Sequence, residues 1–374
     1  MSLELEAPIP GTLGWELISL VSDYVNEFAS TRVLEVRDDK LMVYNCKELG
    51  RLITGIVNKH VTRDAHVFIS GNDFRYTLGT LARLARLSPK PPVRELIESY
   101  GRIMQRRGCQ IRALTELYAV PAMLNVNFYE YGKRYLKKPT KQIKPKLRIS
   151  GGAVILGYLG GLLCYAGNLI KPETRVSFYF IPQRRIIDWP TMEEITGEHQ
   201  QLITRDYSDA SILIYLTSIL FEKGVTESDT LFGNMVSLQE AQRPTVLSVN
   251  SMHTSGLIRV MNQMKDATGL QRKRIASSLR SFISAPTKIS GEERSALMRL
   301  VERFSSYLLA YASTKSPEPL LMLVSLLDRA LGELQLGSRS TLSNGLRIWA
   351  GSSLDAIKRI RFLIELLSST RFGI

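Results

Sequence analysis

The chain has 374 residues, with 49 Lys+Arg against 35 Asp+Glu and a net charge of +14. Apolar residues make up 44% and charged residues 22%, which excludes a wholly disordered chain, a collagen-like repeat and a disulfide mini-protein. A cationic excess of this size suits polyanions or anionic membranes as partners, and it is localised: residues 101–150 carry +10, residues 251–300 carry +6, and the remainder is −2. Three widely separated cysteines, Cys46, Cys109 and Cys164, form no CxxC, so neither a disulfide scaffold nor a zinc knuckle is implied. A reducing, cytoplasmic setting is the default. Met1 to Thr12 carries Glu4 and Glu6 and lacks the basic start of a secretory or transit peptide.

In chain order, Leu17, Val21, Tyr24 and Phe28 recur on one face and predict a helix over Leu13 to Ser30. Val33 to Val36 and Leu41 to Tyr44 flank a polar turn and read as a β-hairpin. Lys47 to Lys59 is helical by Leu49, Leu52, Ile53 and Ile56, and Ala65 to Ser70 reads as a short strand. A helix is expected over Tyr76 to Leu87. Pro89, Pro91 and Pro92 break it, and further helical stretches are expected over Val93 to Arg107 and Gln110 to Val120.

Residues 132–150 hold eight basic residues, no acid and two prolines, too Pro-broken for a regular helix. Gly151 to Ile170 follows, twenty residues without a charge. Its length qualifies it as a membrane span, but its six glycines, two tyrosines and Asn168 favour a buried, closely packed strand or helix. Arg175 to Ile181 reads as a strand ended by Pro182.

Beyond about Ser208 the strand signals fade. Helices are expected over Ile212 to Phe221, Leu257 to Met264 and Gln271 to Ile283. In the last of these Ile275, Leu279 and Phe282 share one face, and Lys273 and Arg280 share the opposite one. Ser290 and Glu293 have the spacing of a capping box. After them Leu297, Leu300, Val301, Phe304, Leu308 and Tyr311 mark the clearest helix, followed by helices from Pro319 and over Leu342 to Leu367. The fold class expected is α+β: a mixed α/β part over 1–205, with the basic loop at 132–150, then a helical bundle over 206–374.

No catalytic constellation stands out. His60, His66, His199 and His253 have no metal-ligand spacing, and no P-loop, dinucleotide fingerprint or nucleophile elbow is present. No catalytic residue, metal ligand or cofactor is therefore assigned. The candidate nucleic-acid-binding residues are Arg102, Arg106, Arg107, Lys133, Arg134, Lys137, Lys138, Lys141, Lys144, Lys146 and Arg148, with Arg272, Lys273 and Arg280 in the second cluster. Arginine suits bidentate phosphate contacts, lysine acts as a mobile point charge, and the interleaved Phe128, Tyr129, Tyr131 and Tyr135 offer faces for unpaired bases. The plain alternatives are a solvated loop for the first cluster, a solvated face or salt bridges to the acidic 201–250 region for the second, and core aromatics.

The order of features is an α/β N-terminal part, a Pro-interrupted basic segment, the glycine-rich run, RVSFYFIP, and a helical C-terminal part. It resembles the large subunit of archaeal type I-A CRISPR interference (Cascade) complexes, in its short form, over nearly the whole chain. The resemblance implies a subunit without nuclease activity of its own, whose partners are guide RNA, target DNA, the other subunits and a helicase–nuclease. It implies contact with the motif beside the protospacer, stabilisation of the displaced strand, recruitment of the helicase–nuclease, and a C-terminal bundle likened to the complex's small subunit. Such a division of labour, with guide pairing reading most of the sequence, needs basic grooves and few catalytic groups. Three other readings stay open. They are a membrane-anchored protein spanning at 151–170, a metal-dependent nucleic-acid enzyme whose acids meet only in the fold, and a scaffold for acidic protein partners.

Overall fold

The computed structural model describes residues 2–61, 65–126, 148–171, 174–182, 188–225, 231–241, 244–264 and 269–370. They form two compact units, one of residues 1–184 and 233–251, the other of 185–232 and 252–374. The class is α+β, with helices and antiparallel sheets in the first unit and helices in the second.

In the first unit the leading helix is α1 (Leu13–Glu27), capped by the Thr12 hydroxyl, which accepts from the Trp15 N–H. The expected hairpin is β2 (Leu34–Arg37) and β3 (Lys40–Val43), turning through Asp38 at φ +46. A further strand, β1 (Leu3–Glu6), pairs antiparallel with β3, so that Leu5 sits opposite Leu41. Next comes α2 (Cys46–His60). Ala65 to Ser70 is not a strand. The Phe68 N–H donates to the Tyr179 hydroxyl at 3.4 Å, and Ser70 and Asp73 close a capping box that starts α3 (Gly71–Asp73). A local cap thus outcompetes sheet pairing for the end of this apolar run. A π-helical turn over Phe74–Leu78 leads into α4 (Gly79–Leu84), then α5 (Val93–Arg107). The helical stretch expected over Gln110 to Val120 shrinks to α6 (Arg112–Thr115), because Leu117–Ala119 extends as β4 to pair with β5 (Arg148–Ser150).

The uncharged run divides between α7 (Gly151–Cys164) and β6 (Tyr165–Lys171). Every residue of α7 is buried, which explains its lack of an amphipathic pattern. Its glycines set how closely neighbours approach. A Cβ at Gly160 would stand 2.5 Å from the Leu17 carbonyl oxygen, and one at Gly151 2.1 Å from that of Ala113. Among the described residues no helix is long and apolar enough to cross a membrane.

α2 and α5 meet the same way. A Cβ at Gly50 would fall 2.5 Å from the Gly101 carbonyl oxygen, and Gln105 donates across the contact to Gly50 O at 3.2 Å and Thr54 Oγ1 at 3.0 Å. Cys46 at the start of α2 and Cys109 just past the end of α5 form a disulfide, with Cα atoms 5.2 Å apart. This corrects the default of reduced cysteines: 63 positions separate the pair in sequence, and only the docking of the two helices brings them together. Cys164 stays a buried thiol, and burial pushes its pKa far above the ordinary value.

Strands do not fade after Ser208. The four-stranded sheet has the order β6–β7–β8–β9, built from β6, β7 (Thr174–Pro182), β8 (Leu231–Glu240) and β9 (Thr245–His253). β8 runs antiparallel to β7, with Tyr179 opposite Val236. The single cut expected between 205 and 206 is therefore not how the chain divides. A β-hairpin from the C-terminal half completes the first unit's sheet, and α8 (Trp189–Ile203), a helix that no sequence signal marks within the 1–205 span, belongs to the second unit.

The second unit continues with α9 (Asp209–Glu222), α10 (Ser255–Gln263), α11 (Gly269–Ile283), α12 (Gly291–Thr314), α13 (Pro317–Gln335), α14 (Thr341–Ala350) and α15 (Ser353–Ser368). The expected stripe of α12 is buried throughout. Its capping box does not form: Gly291 turns through φ +72 and the Ser290 hydroxyl makes no cap bond. Phe282 of α11 is the hub, edge-on to Phe304 at 4.9 Å and to Trp349 at 5.7 Å. Such edge-on aromatic pairs contribute about 0.5–1.5 kcal/mol each beyond area burial.

Candidate nucleic-acid interface

The first expected cluster lies on the first unit. Arg102, Arg106 and Arg107 are exposed on the C-terminal half of α5. Arg102 is ion-paired with Glu98, one turn earlier. Arg106 and Arg107 sit in the last turn, where a cation complements the negative end of the helix dipole. The nearby Arg112, its side chain 89% exposed, faces Glu116 at 3.3 Å. Arg148 opens β5, exposed and opposite Ala119. Lys133, Arg134, Lys137, Lys138, Lys141, Lys144 and Lys146 lie outside the described residues, as do Phe128, Tyr129, Tyr131 and Tyr135.

The second cluster lies on the second unit, and two of its three members have structural work there. Arg280 is ion-paired with Glu222 of α9 and lies 3.9 Å from Glu194 of α8, its side chain only 21% exposed. Lys223 holds the other oxygen of Glu194 at 3.2 Å. Arg272 places its guanidinium 5.8 Å from the centre of the Phe221 ring, half-buried. Lys273 is exposed and makes no ion pair among the described residues. For Arg280 the alternative of a salt bridge to the acidic 201–250 region is the one observed, through Glu222, whereas Lys273 stays exposed.

A different set of cations lines an open groove of about 420 Å³ between α11, α14 and α15. Arg274, Ser277, Ser278 and Ser281 contribute one face of α11, at the i, i+3, i+4, i+7 spacing of a single stripe. From α15 come Lys358, Arg359 and Phe362, and from the last turn of α14 comes Trp349. The Arg274 guanidinium lies 4.6 Å from the Phe362 ring centre, and that of Arg359 lies 5.1 Å from the Trp349 ring. The Trp349 indole N–H donates to the Ser281 carbonyl at 3.0 Å, which fixes the ring in place. Among the described residues no acidic side chain lines the groove.

Each arginine–aromatic stack on such an open surface contributes about 0.5–1 kcal/mol and holds a planar fork of donors over a ring. A phosphate oxygen accepts from such a fork bidentately, and an unpaired base stacks on a ring or a guanidinium face. Lys358 and Arg359 escaped the sequence reading because Asp355 and Glu365 dilute the charge of residues 351–374 to +2. The run IKRIRF at 357–362 carries the signal, with Lys358 and Arg359 one turn before Phe362.

The first unit also holds a polar cluster that resembles chemistry without the arrangement for it. Glu240 is its centre: His66 Nε2 lies 3.2 Å away, Ser177 donates its hydroxyl, and Arg175 Nε lies 3.5 Å away. Burial would raise the Glu240 carboxyl, but the bonds from His66 and Ser177 and the charge of Arg175 outweigh it and hold the group below its ordinary value. In a hydrolytic triad the imidazole stands between hydroxyl and acid. Here the carboxylate stands between them, and Ser177 is fully buried, so the cluster ties residue 66 to β7 and β8. Among the described residues no group of three or more His, Cys, Asp or Glu side chains could hold a metal ion.

No protein-family model matches the chain, and no curated protein matches it.

Proposed function

We propose that the protein is a non-catalytic nucleic-acid-binding subunit, and that it serves as the large subunit of a CRISPR RNA-guided DNA interference complex in the cytoplasm. Its partners are guide RNA, target DNA, the other subunits and the helicase–nuclease. The observation that carries the nucleic-acid part is the groove in which Arg274 lies over the Phe362 ring and Arg359 over the Trp349 ring, beside Lys358, with no acid lining it among the described residues. Guanidinium planes held in this way offer a single strand both a donor fork for its phosphates and a face for its bases. The CRISPR assignment rests on the resemblance in feature order. Intracellular disulfides persist in hyperthermophilic archaea, which accommodates the Cys46–Cys109 bond in a cytoplasmic protein.

The test is fluorescence anisotropy with a labelled single-stranded oligonucleotide over a salt series. Replacing Arg274, Lys358 and Arg359 together by alanine is expected to weaken binding by at least about tenfold. Three lost phosphate contacts lower the slope of log K against log salt by about 2. Unchanged affinity and slope reject the groove as the interface. Alanine at Lys137, Lys138, Lys141, Lys144 and Lys146 tests the other cluster by the same two readouts.

A further inference from the structure

A second basic groove on the helical unit has different chemistry. It runs between α12, α13 and the start of α14, with a volume of about 270 Å³. Arg299 and Arg303 come from α12 and Arg329 from α13, all exposed and none in an ion pair among the described residues. Arg299 and Arg303 stand one turn apart, where like charges repel. Two carboxylates nearby accept from other donors and are not ion-paired with these arginines. Glu302 accepts from the Ser208 N–H at 3.1 Å and the Ser211 hydroxyl at 3.0 Å, and Glu333, on the groove wall, accepts from the Ser340 hydroxyl at 2.6 Å.

Between the cations the floor is aliphatic, made by Leu300, Leu326 and Leu342 with Ala296 and Ala330. The apolar strip continues along α13 to Met322, four residues before Leu326 and 49% exposed. Among the described residues no aromatic ring lines this groove, unlike the one beside Trp349 and Phe362, so it offers an unpaired base no stacking face. An aliphatic floor rimmed by cations on both sides complements an amphipathic helix with aliphatic anchors and carboxylates on its flanks.

We propose that the Arg299–Arg303–Arg329 groove is a docking site for an acidic amphipathic helix of a protein partner. Leu326 and Leu342, both half-buried, receive the aliphatic anchors, and the three arginines pair with flanking carboxylates. Nucleic acid is engaged elsewhere, so the site stands independently of the function proposed above.

The probe is a fluorescein-labelled helical peptide of about 16 residues, long enough to hold a helix. Leucines at i, i+4 and i+7 are flanked by glutamates, and a control carries glutamine at those flanking positions. At low salt, where rim charges are little screened, the glutamate peptide is expected to bind at least about tenfold tighter than the control. Arg303→Glu with Arg329→Glu is expected to abolish that preference, and a lysine-flanked peptide to prefer the reversed variant. Leu326→Ala is expected to weaken the glutamate peptide several-fold. Because the arginines are exposed and free of ion pairs, the variants are expected to keep the wild-type circular dichroism and unfolding midpoint. Equal binding of the glutamate and glutamine peptides overturns the proposal, and so does a preference that survives the double reversal. A reversal that instead weakens single-stranded oligonucleotide binding, with peptide binding unmoved, assigns the groove to nucleic acid and overturns it as well.

Discussion

Among the described residues, the two units differ in where their unpaired cations gather. In the first, described cations repeatedly stand beside acids: Lys40 with Glu4 and Glu6, Arg51 with Glu48, Arg102 with Glu98, Arg112 with Glu116, Arg175 with Glu240. In the second, the acids of α8 and α9 gather on Arg280 and Lys223, leaving Arg274 and Arg359 over aromatic rings, Lys358 exposed beside them, and Arg299, Arg303 and Arg329 around an aliphatic floor. Surface ion pairs contribute about 0–1 kcal/mol each, so the first pattern is electrostatic neutralisation more than stability. Unneutralised cations that converge in grooves hold unused interaction energy for a ligand. A net charge counted along the chain does not separate these cases.

The units also differ in what fixes their cores, and the largest predicted effect tests that difference. The first unit is built around the fully buried α7, where backbone meets backbone. Gly160→Val is expected to destabilise that unit by about 3 kcal/mol or more, because its Cβ would drive into the Leu17 carbonyl oxygen. Gly55, exposed in the middle of α2 with open space around it, is the control: Gly55→Ala is expected to stabilise by about 0.5–1 kcal/mol. Urea denaturation of both variants measures the contrast, and equal effects at the two glycines would show that close approach does not govern this core.

Breaking the Cys46–Cys109 bond, by Cys46→Ser with Cys109→Ser or by reductant, is expected to cost about 2–4 kcal/mol, since the bond closes a long loop in the unfolded chain. The loss is expected to appear in the first unit's transition only. A reductant-insensitive wild type would remove this staple from the comparison.

Within the second unit, Arg280→Ala is expected to cost about 2 kcal/mol, because it strands Glu222 in a half-buried position. Arg274→Ala is expected to cost less than about 1 kcal/mol while lowering nucleic-acid affinity. Thermal midpoints read beside oligonucleotide anisotropy separate the structural arginine from the exposed one. The reverse order would dissolve the distinction.

The smallest effect is on the acid limb. The Glu240 carboxyl is lowered in the folded protein, so its stabilisation is present above the ordinary value of 4.5 and is lost as pH falls through the lower folded value. Wild type is therefore expected to lose more stability below about pH 4.5 than Glu240→Gln does, by denaturation midpoints across the acid range.

The sequence by itself determined most of the helices. The stripes of α2 and α12 are buried as their patterns mark, and that of α1 is buried through Tyr24, whereas Phe28, just past the helix end, is 51% exposed. The β2–β3 hairpin and β7 were also written locally, in branched and aromatic residues next to turns. Tertiary structure decided the rest, because each remaining feature depends on residues distant in sequence. The division of the uncharged run at Cys164 needs both the neighbours that fill the space around α7 and the strand that pairs with β6. The recruitment of β8 and β9 into the first unit's sheet is a non-local pairing that no window of sequence contains. The candidate site shows the same limit. Arg274 lies in a cluster the sequence marked, but Lys358, Arg359, Trp349 and Phe362 join it only when α14 and α15 dock against α11, and Arg280 leaves the cluster because Glu222 reaches it first. Charge is legible in a sequence, whereas its neutralisation is a distance between side chains that only the packed helices set.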